Sequence, residues 1–121
     1  MGNGFIDMKY GNRKTIINGE KFDSRLEARR YAELVLMERG GVIKDLRRQV
    51  PFELIPPYVT HGRKVRPAEY VADFVYEKDG ETVVEDTKGV KTEVYKLKKK
   101  LFEYRYPTLE IREIKREDIR K

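Results

Sequence analysis

Residues 71–88 read Val71-Ala72-Asp73-Phe74-Val75-Tyr76-Glu77-Lys78-Asp79-Gly80-Glu81-Thr82-Val83-Val84-Glu85-Asp86-Thr87-Lys88. Two apolar runs flank Asp79-Gly80. Both turn residues tolerate the positive φ of a type I′ turn, so the stretch predicts a β-hairpin. Counting outward from that turn sets Asp73 directly opposite Asp86. Cross-strand partners share a face and side chains alternate with period two, so Lys88 joins them two residues on. Facing like charges destabilise a sheet by roughly 0.2–1 kcal/mol unless something sits between them. A divalent cation is an economical answer. Carboxylates at the ends of neighbouring strands make a hard oxygen site suited to Mg²⁺ or Mn²⁺. Such an ion activates water and polarises a phosphoryl group, and a lysine beside it can orient or deprotonate the water. The plainer alternative is a solvated sheet face, with Lys88 as the salt-bridge partner of two surface aspartates. The apolar neighbours of Asp73 argue against it, because carboxylates are rarely buried unless paired or metal-bound.

Composition narrows the classes. A chain of 121 residues suffices for one domain with a modest core. Charged residues are 40% of it, yet 39% is apolar and arranged periodically, which excludes a disordered chain. A net charge of +6 favours polyanionic partners without requiring them. Absence of cysteine excludes disulfides, thiolate metal sites and cysteine nucleophiles. The single histidine, His61, removes most zinc-hydrolase layouts. No stretch is long enough to span a membrane and the N-terminus lacks a hydrophobic signal core, so a soluble cytoplasmic protein with no membrane partner is expected.

Residues 1–15 are expected to form a flexible basic arm, 16–114 the folded domain and 115–121 a charged tail. Asn18-Gly19 suggests a small hairpin. Asp23-Ser24 opens a helix with Ala28, Tyr31, Ala32, Val35 and Leu36 at helical spacing, and Gly40-Gly41 ends it. An extended run follows, with Val50, Phe52 and Leu54 alternating. Beyond Pro56-Pro57 comes a basic excursion around His61, whose Arg63, Lys64 and Arg66 suit a finger that touches nucleic acid. After Gly89, Thr92 caps a second helix. Its stripe is Val94, Leu97, Leu101 and Tyr104, flanked by Tyr95 and Phe102. Lys96, Lys99 and Lys100 share one face, where opposing acids look sparse. That face is either simple solvent exposure or a phosphate-backbone contact. Pro107 ends the helix, and Leu109 and Ile111 enter a last strand. The order predicts an α/β fold, a mixed β-sheet flanked by helices, with a meander and then a helical crossover.

Three assignments stay open on the residues alone. Glu27 at the third helical position fits a capping box with Ser24, or it can reach the metal as a further carboxylate. Glu85 should point away from Asp86, but a bulge would exchange the two. Tyr70, Phe74 and Tyr76 fit the core on the sheet's second face.

The Asp73 strand, the short hairpin and Asp86-Thr87-Lys88 together resemble the PD-(D/E)XK nuclease superfamily, the restriction-endonuclease-like fold. A closer similarity, over nearly the whole chain, is to a family of small phage and prophage proteins of that superfamily. It rests on Lys9-Tyr10-Gly11-Asn12, Phe22-Asp23-Ser24 with Glu27, Ala72-Asp73-Phe74, and Glu85-Asp86-Thr87-Lys88-Gly89 followed by Lys91-Thr92. Two departures stand out: Ala72 where proline commonly precedes the first aspartate, and Asp86 where glutamate is commoner. The resemblance implies Mg²⁺ (or Mn²⁺) held by Asp73 and Asp86, with Lys88 assisting the water and Glu27 completing the site from the first helix. It implies DNA as partner and a phage- or prophage-encoded protein in a bacterial host. Similar small enzymes include archaeal Holliday-junction resolvases and transposon end-cleaving subunits. Several are dimeric, which leaves a homodimer and replication or recombination proteins as further partners.

The expected function is therefore a metal-dependent DNA endonuclease, with branched, junction or fork DNA as candidate substrates. The alternatives are a non-catalytic DNA-binding or replication-accessory module on the same fold, and a plain interaction domain with a charged surface.

Overall fold

The computed structural model describes residues 15–17, 20–88 and 90–119. The expected basic arm lies outside these residues apart from Thr15, as do the Asn18-Gly19 turn, Gly89 and the last two residues. In chain order the elements are β1 (Thr15–Ile17), β2 (Glu20–Phe22), α1 (Arg25–Arg39), β3 (Lys44–Ile55), β4 (Tyr58–Thr60), β5 (Arg63–Val65), β6 (Ala68–Lys78), β7 (Glu81–Thr87), α2 (Glu93–Arg105) and β8 (Ile111–Ile114). Four strands form the main sheet in the order β3-β6-β7-β8. The first three run antiparallel, and β8 lies parallel to β7 after the crossover through α2. The result is the α/β architecture that the sequence predicts: a mixed sheet flanked by two helices.

Local chemistry explains the boundaries. Asp79 and Gly80 take φ of 52° and 81°, as the hairpin turn requires, and the β6–β7 ladder runs from Lys78↔Glu81 to Phe74↔Glu85. One step further, the same register brings Asp73 abreast of Asp86. Ser24 caps α1, its Oγ accepting the Glu27 N–H at 3.1 Å, and Thr92 caps α2 by accepting the Tyr95 N–H at 3.1 Å. Pro51 is tolerated inside β3 because β3 is an edge strand of the main sheet.

The helix faces differ from the predicted stripes. On α2 the buried residues are Tyr95 and Phe102, while Val94, Leu97 and Tyr104 are exposed. Phe102 decides the rotation: its ring meets Phe52 edge-on at 5.1 Å and Tyr70 at 5.5 Å, and aromatic packing of this kind outweighs a row of smaller side chains. On α1 the buried side chains are Glu27, Ala28, Arg30 and Leu34, with Leu36 and Ala32 outside. Two charged residues enter the interior there because acceptors and donors wait for them below. The charged tail expected from residue 115 carries a 3₁₀ turn over Arg116–Asp118 and a buried Ile119.

The pleat of the sheet changes sides at one place. On β3, Leu46 and Arg48 face α1, whereas Val50, Phe52 and Leu54 pack on the α2 side. On β6, Phe74 and Tyr76 face α1, whereas Tyr70 and Ala72 pack on the α2 side. Even-numbered residues on both strands switch faces between Arg48↔Phe74 and Val50↔Ala72, although the register does not slip. Gln49 sits at the switch with φ of 52°, a left-handed conformation that breaks strict alternation in an L-residue strand. Tyr70 therefore does not share a face with Phe74 and Tyr76, contrary to the simple period-two expectation.

Candidate active site

Asp73 lies abreast of Gln49, where the pleat reverses. Its Oδ2 accepts the Thr87 N–H at 2.8 Å and the Thr87 hydroxyl at 2.7 Å, which ties the end of β7 to β6. Asp86, one residue earlier on β7, is buried beside it. Among the described residues its Oδ2 has no partner in hydrogen-bond geometry, and the Lys88 Nζ forms an ion pair with it at 3.4 Å. Lys88 is itself placed over the Tyr95 ring, 4.3 Å from the centroid. The backbone N–H of Lys88 donates to the Ile114 carbonyl at 3.1 Å, so the residue is anchored just past the strand end.

Glu27 reaches the same spot from the first turn of α1. Only half of the expected capping box is made: Ser24 Oγ takes the Glu27 N–H, but the Glu27 carboxylate accepts from Gln49 Nε2 at 2.9 Å. That Gln49 nitrogen also lies 3.3 Å from Asp73 Oδ1. Arg48 Nη2 stands 3.7 Å from Glu27 Oε2, its guanidinium stacked 4.1 Å from the Phe22 ring centroid. Glu27, Asp73, Asp86 and Lys88 thus gather around one cleft of about 510 Å³, which Gln49, Tyr70 and Lys98 also line.

The electrostatics are those of a site short of positive charge. Burial pushes the Asp86 carboxyl up to about 7; a hydrogen bond to the Asp73 carboxyl and its charge add to this, and Lys88 offsets only part. Burial likewise raises Glu27 to about 7, with Asp73 reinforcing and Arg48 opposing. Burial also raises the Tyr70 phenol, with the nearby Asp86 charge contributing. Hard oxygen donors, two of them destabilised as anions, suit a divalent cation. Among the described residues, no three acidic or imidazole side chains are arranged to hold a metal ion as they stand. The Gln49 amide between Glu27 and Asp73 occupies the middle of the set.

The other expected residues fall elsewhere. Glu85, the competitor for Asp86, points to the opposite face and is fully buried against Arg30. Lys96 and Lys99 lie on α2, but Lys96 pairs with Glu93 at 3.2 Å and Lys99 with Glu113 at 3.1 Å. Lys91 also reaches Glu113, at 2.8 Å. Burial would raise Glu113, but hydrogen bonds from Lys91, Tyr95 and Lys99 outweigh it and hold the carboxyl down at about 2. The expectation of few opposing acids on this face is therefore not met, although Lys100 is exposed. Lys98, not one of those three, lines the cleft. Arg63, Lys64 and Arg66 are exposed on and beside the β4–β5 ribbon, which forms a sheet of its own and turns at His61-Gly62 with φ of 49° and 71°. Gln49, Thr87 and Tyr70 were missed by sequence reasoning. The pleat reversal that recruits Gln49 and Tyr70 has no local sequence signature.

A family model described as "Protein of unknown function (DUF1064)" matches residues 7–118. The chain belongs to that family. No curated protein and no solved structure matches this DUF1064 chain. The matched span contains every residue of the cleft, so the site lies wholly within the DUF1064 domain. No helix among its described residues is long and apolar enough to cross a membrane.

Proposed function

We propose that this chain is a metal-dependent DNA endonuclease of the PD-(D/E)XK type, with a restriction-endonuclease-like core. One observation supports it above the rest: Asp86 is buried beside a second carboxylate, and the Lys88 ammonium 3.4 Å from its Oδ2 offsets only part of that charge. Two neighbouring carboxylates facing one lysine leave negative charge unbalanced in a buried place, and a divalent cation would supply the difference.

Asp86 and Asp73 would hold Mg²⁺ or Mn²⁺, with Glu27 completing the set from α1. The ion would supply charge for the phosphoryl oxygens and acidify a water. Lys88 Nζ, fixed between Asp86 and the Tyr95 ring, orients the attacking water and contacts the scissile phosphate. Water gives up a proton to bulk solvent and adds to phosphorus, the bond from phosphorus to the leaving sugar oxygen breaks, and that oxygen takes up a proton from solvent. Thr87 keeps Asp73 from turning away during this step. Lys98 at the cleft mouth adds positive charge for the neighbouring backbone phosphates.

The test is a cleavage assay over supercoiled, linear, forked and four-way DNAs with Mg²⁺ and Mn²⁺. Nicking that requires the metal supports the proposal. Salt-sensitive binding without cleavage under either ion rejects it in favour of the DNA-binding accessory module.

The β4–β5 ribbon gives a separate expectation. A two-stranded ribbon fits the major groove, and Arg63, Lys64 and Arg66 are placed to meet phosphates. Replacing all three with alanine should lower the slope of log K against log salt by about 2–3, the release of that many counterions. The ribbon is outside the main sheet, so the thermal midpoint should hardly move. Titration of duplex DNA at several salt concentrations measures both the affinity and the slope.

A further inference from the structure

We propose that Gln49 is a displaceable stand-in for the cation: its amide holds Glu27 and Asp73 together in the metal-free protein and leaves them when the ion enters. The inference rests on the cleft being a metal site, as proposed above. The geometry is specific. Gln49 Nε2 lies 2.9 Å from Glu27 Oε2 and 3.3 Å from Asp73 Oδ1. A primary amide nitrogen has two hydrogens, so one group can serve both acceptors at once, and only its nitrogen end has hydrogens to give. A cation shared by these carboxylates would need the same position.

Two features make the arrangement reversible. The amide is neutral, so moving it away separates no charge; a lysine there would form ion pairs that a metal must break. Gln49 is exposed, so its side chain has solvent to swing into. Arg48, by contrast, is pinned: its guanidinium stacks on Phe22 and donates to the Lys21 carbonyl at 2.9 Å. It stays beside Glu27 whether or not a metal is present.

The backbone supplies the independent observation. Gln49 has φ of 52° inside a strand, a region that favours glycine, and it stands where both strands reverse their pleat. The surrounding sheet holds the backbone in that region, and the turn it makes there carries the Gln49 side chain into the cleft.

The experiment compares Mg²⁺ binding by calorimetry in the wild-type protein and Gln49→Gly. Glycine accepts the left-handed backbone, so the variant removes the amide without adding strain. It should bind Mg²⁺ about three- to tenfold more tightly, because one or two ordinary hydrogen bonds no longer have to be given up. In the wild-type protein, the ¹⁵N side-chain amide signal of Gln49 should move to the position of a solvent-exposed amide as Mg²⁺ saturates. This second readout needs no variant. Weaker or unchanged binding in Gln49→Gly, or an amide signal that Mg²⁺ does not move, overturns the stand-in role while leaving the metal site intact. Failure of both proteins to bind Mg²⁺ or Mn²⁺ overturns the metal site itself, and the role of Gln49 with it.

Discussion

Asp86→Asn should abolish metal-dependent nicking and at the same time stabilise the metal-free protein. On the proposed function the loss follows from removing a metal ligand that would supply several kcal/mol of transition-state stabilisation, which at about 1.4 kcal/mol per decade is roughly a thousandfold in rate or more. The gain follows from the environment: Asp86 is buried beside Asp73, and burial with that neighbour lifts its carboxyl to about 7. Asparagine removes the charge and offers Asp73 a donor. A rise of about 5 °C in the thermal midpoint is expected at pH 7.5 without metal, from relief on the order of 1–2 kcal/mol. The same physics gives a pH dependence. Glu27 and Asp86 titrate near 7 in the folded protein, against ordinary values of 4.5 and 3.8. Between those limits the native state holds protons that the unfolded chain has lost. The stability they contribute is complete below about pH 4, falls as pH rises, and is gone above about 7. Glu113 acts in the opposite sense, but only as pH falls from 4.5 towards 2. Urea unfolding at pH 4.5, 6 and 7.5 should therefore show declining stability without metal and, on the proposed metal site, a flatter profile with Mg²⁺, because a bound ion would expel the protons. Asp86→Asn should lose about half of the slope. A variant that nicks DNA at the wild-type rate would remove Asp86 from the chemistry.

The hairpin was legible because its determinants are local. Asp79-Gly80 fixes the turn, the turn fixes the register, and the register places Asp73 beside Asp86 with Glu85 on the other face. Caps at Ser24 and Thr92 were legible for the same reason. What escaped depends on distant partners. The rotation of α2 is set by Phe102 meeting Phe52 and Tyr70 on two other strands, so the row of Val94, Leu97 and Tyr104 gave the wrong inner face. Gln49 looked like an ordinary polar residue of an extended run. Its place in the cleft comes from a backbone reversal that involves β3 and β6 together. Arg30 gave no signal either, since a charged helix residue is normally a surface residue until its buried acceptor is known.

That acceptor is Glu85, and the pair makes the other large prediction. Arg30 Nε donates to Glu85 Oε1 at 2.8 Å and Nη2 to Oε2 at 2.6 Å, a bidentate pair, while Nη1 holds Glu33 at 2.6 Å. The Tyr76 hydroxyl also donates to Glu85, and Arg112 Nη1 stands 3.7 Å from it. With the Glu85 side chain fully enclosed, Arg30→Ala leaves a carboxylate with too little compensation. The cost should be about 3–5 kcal/mol, which lowers the midpoint of a domain this size by roughly 10–20 °C. Arg30→Met with Glu85→Leu removes both charges and should recover part of that loss, because an apolar pair of similar volume needs no desolvation, while the buried Tyr76 hydroxyl gives up its acceptor. Thermal melts of Arg30→Met, Glu85→Leu and the double variant measure the coupling. The double variant also separates the two acidic neighbours on β7. Glu85 faces α1 and Asp86 faces the cleft, so on the proposed function the folded double variant should keep whatever nicking activity the wild-type protein has. A folded double variant with no activity would make Glu85, not Asp86, the reactive acid of the strand.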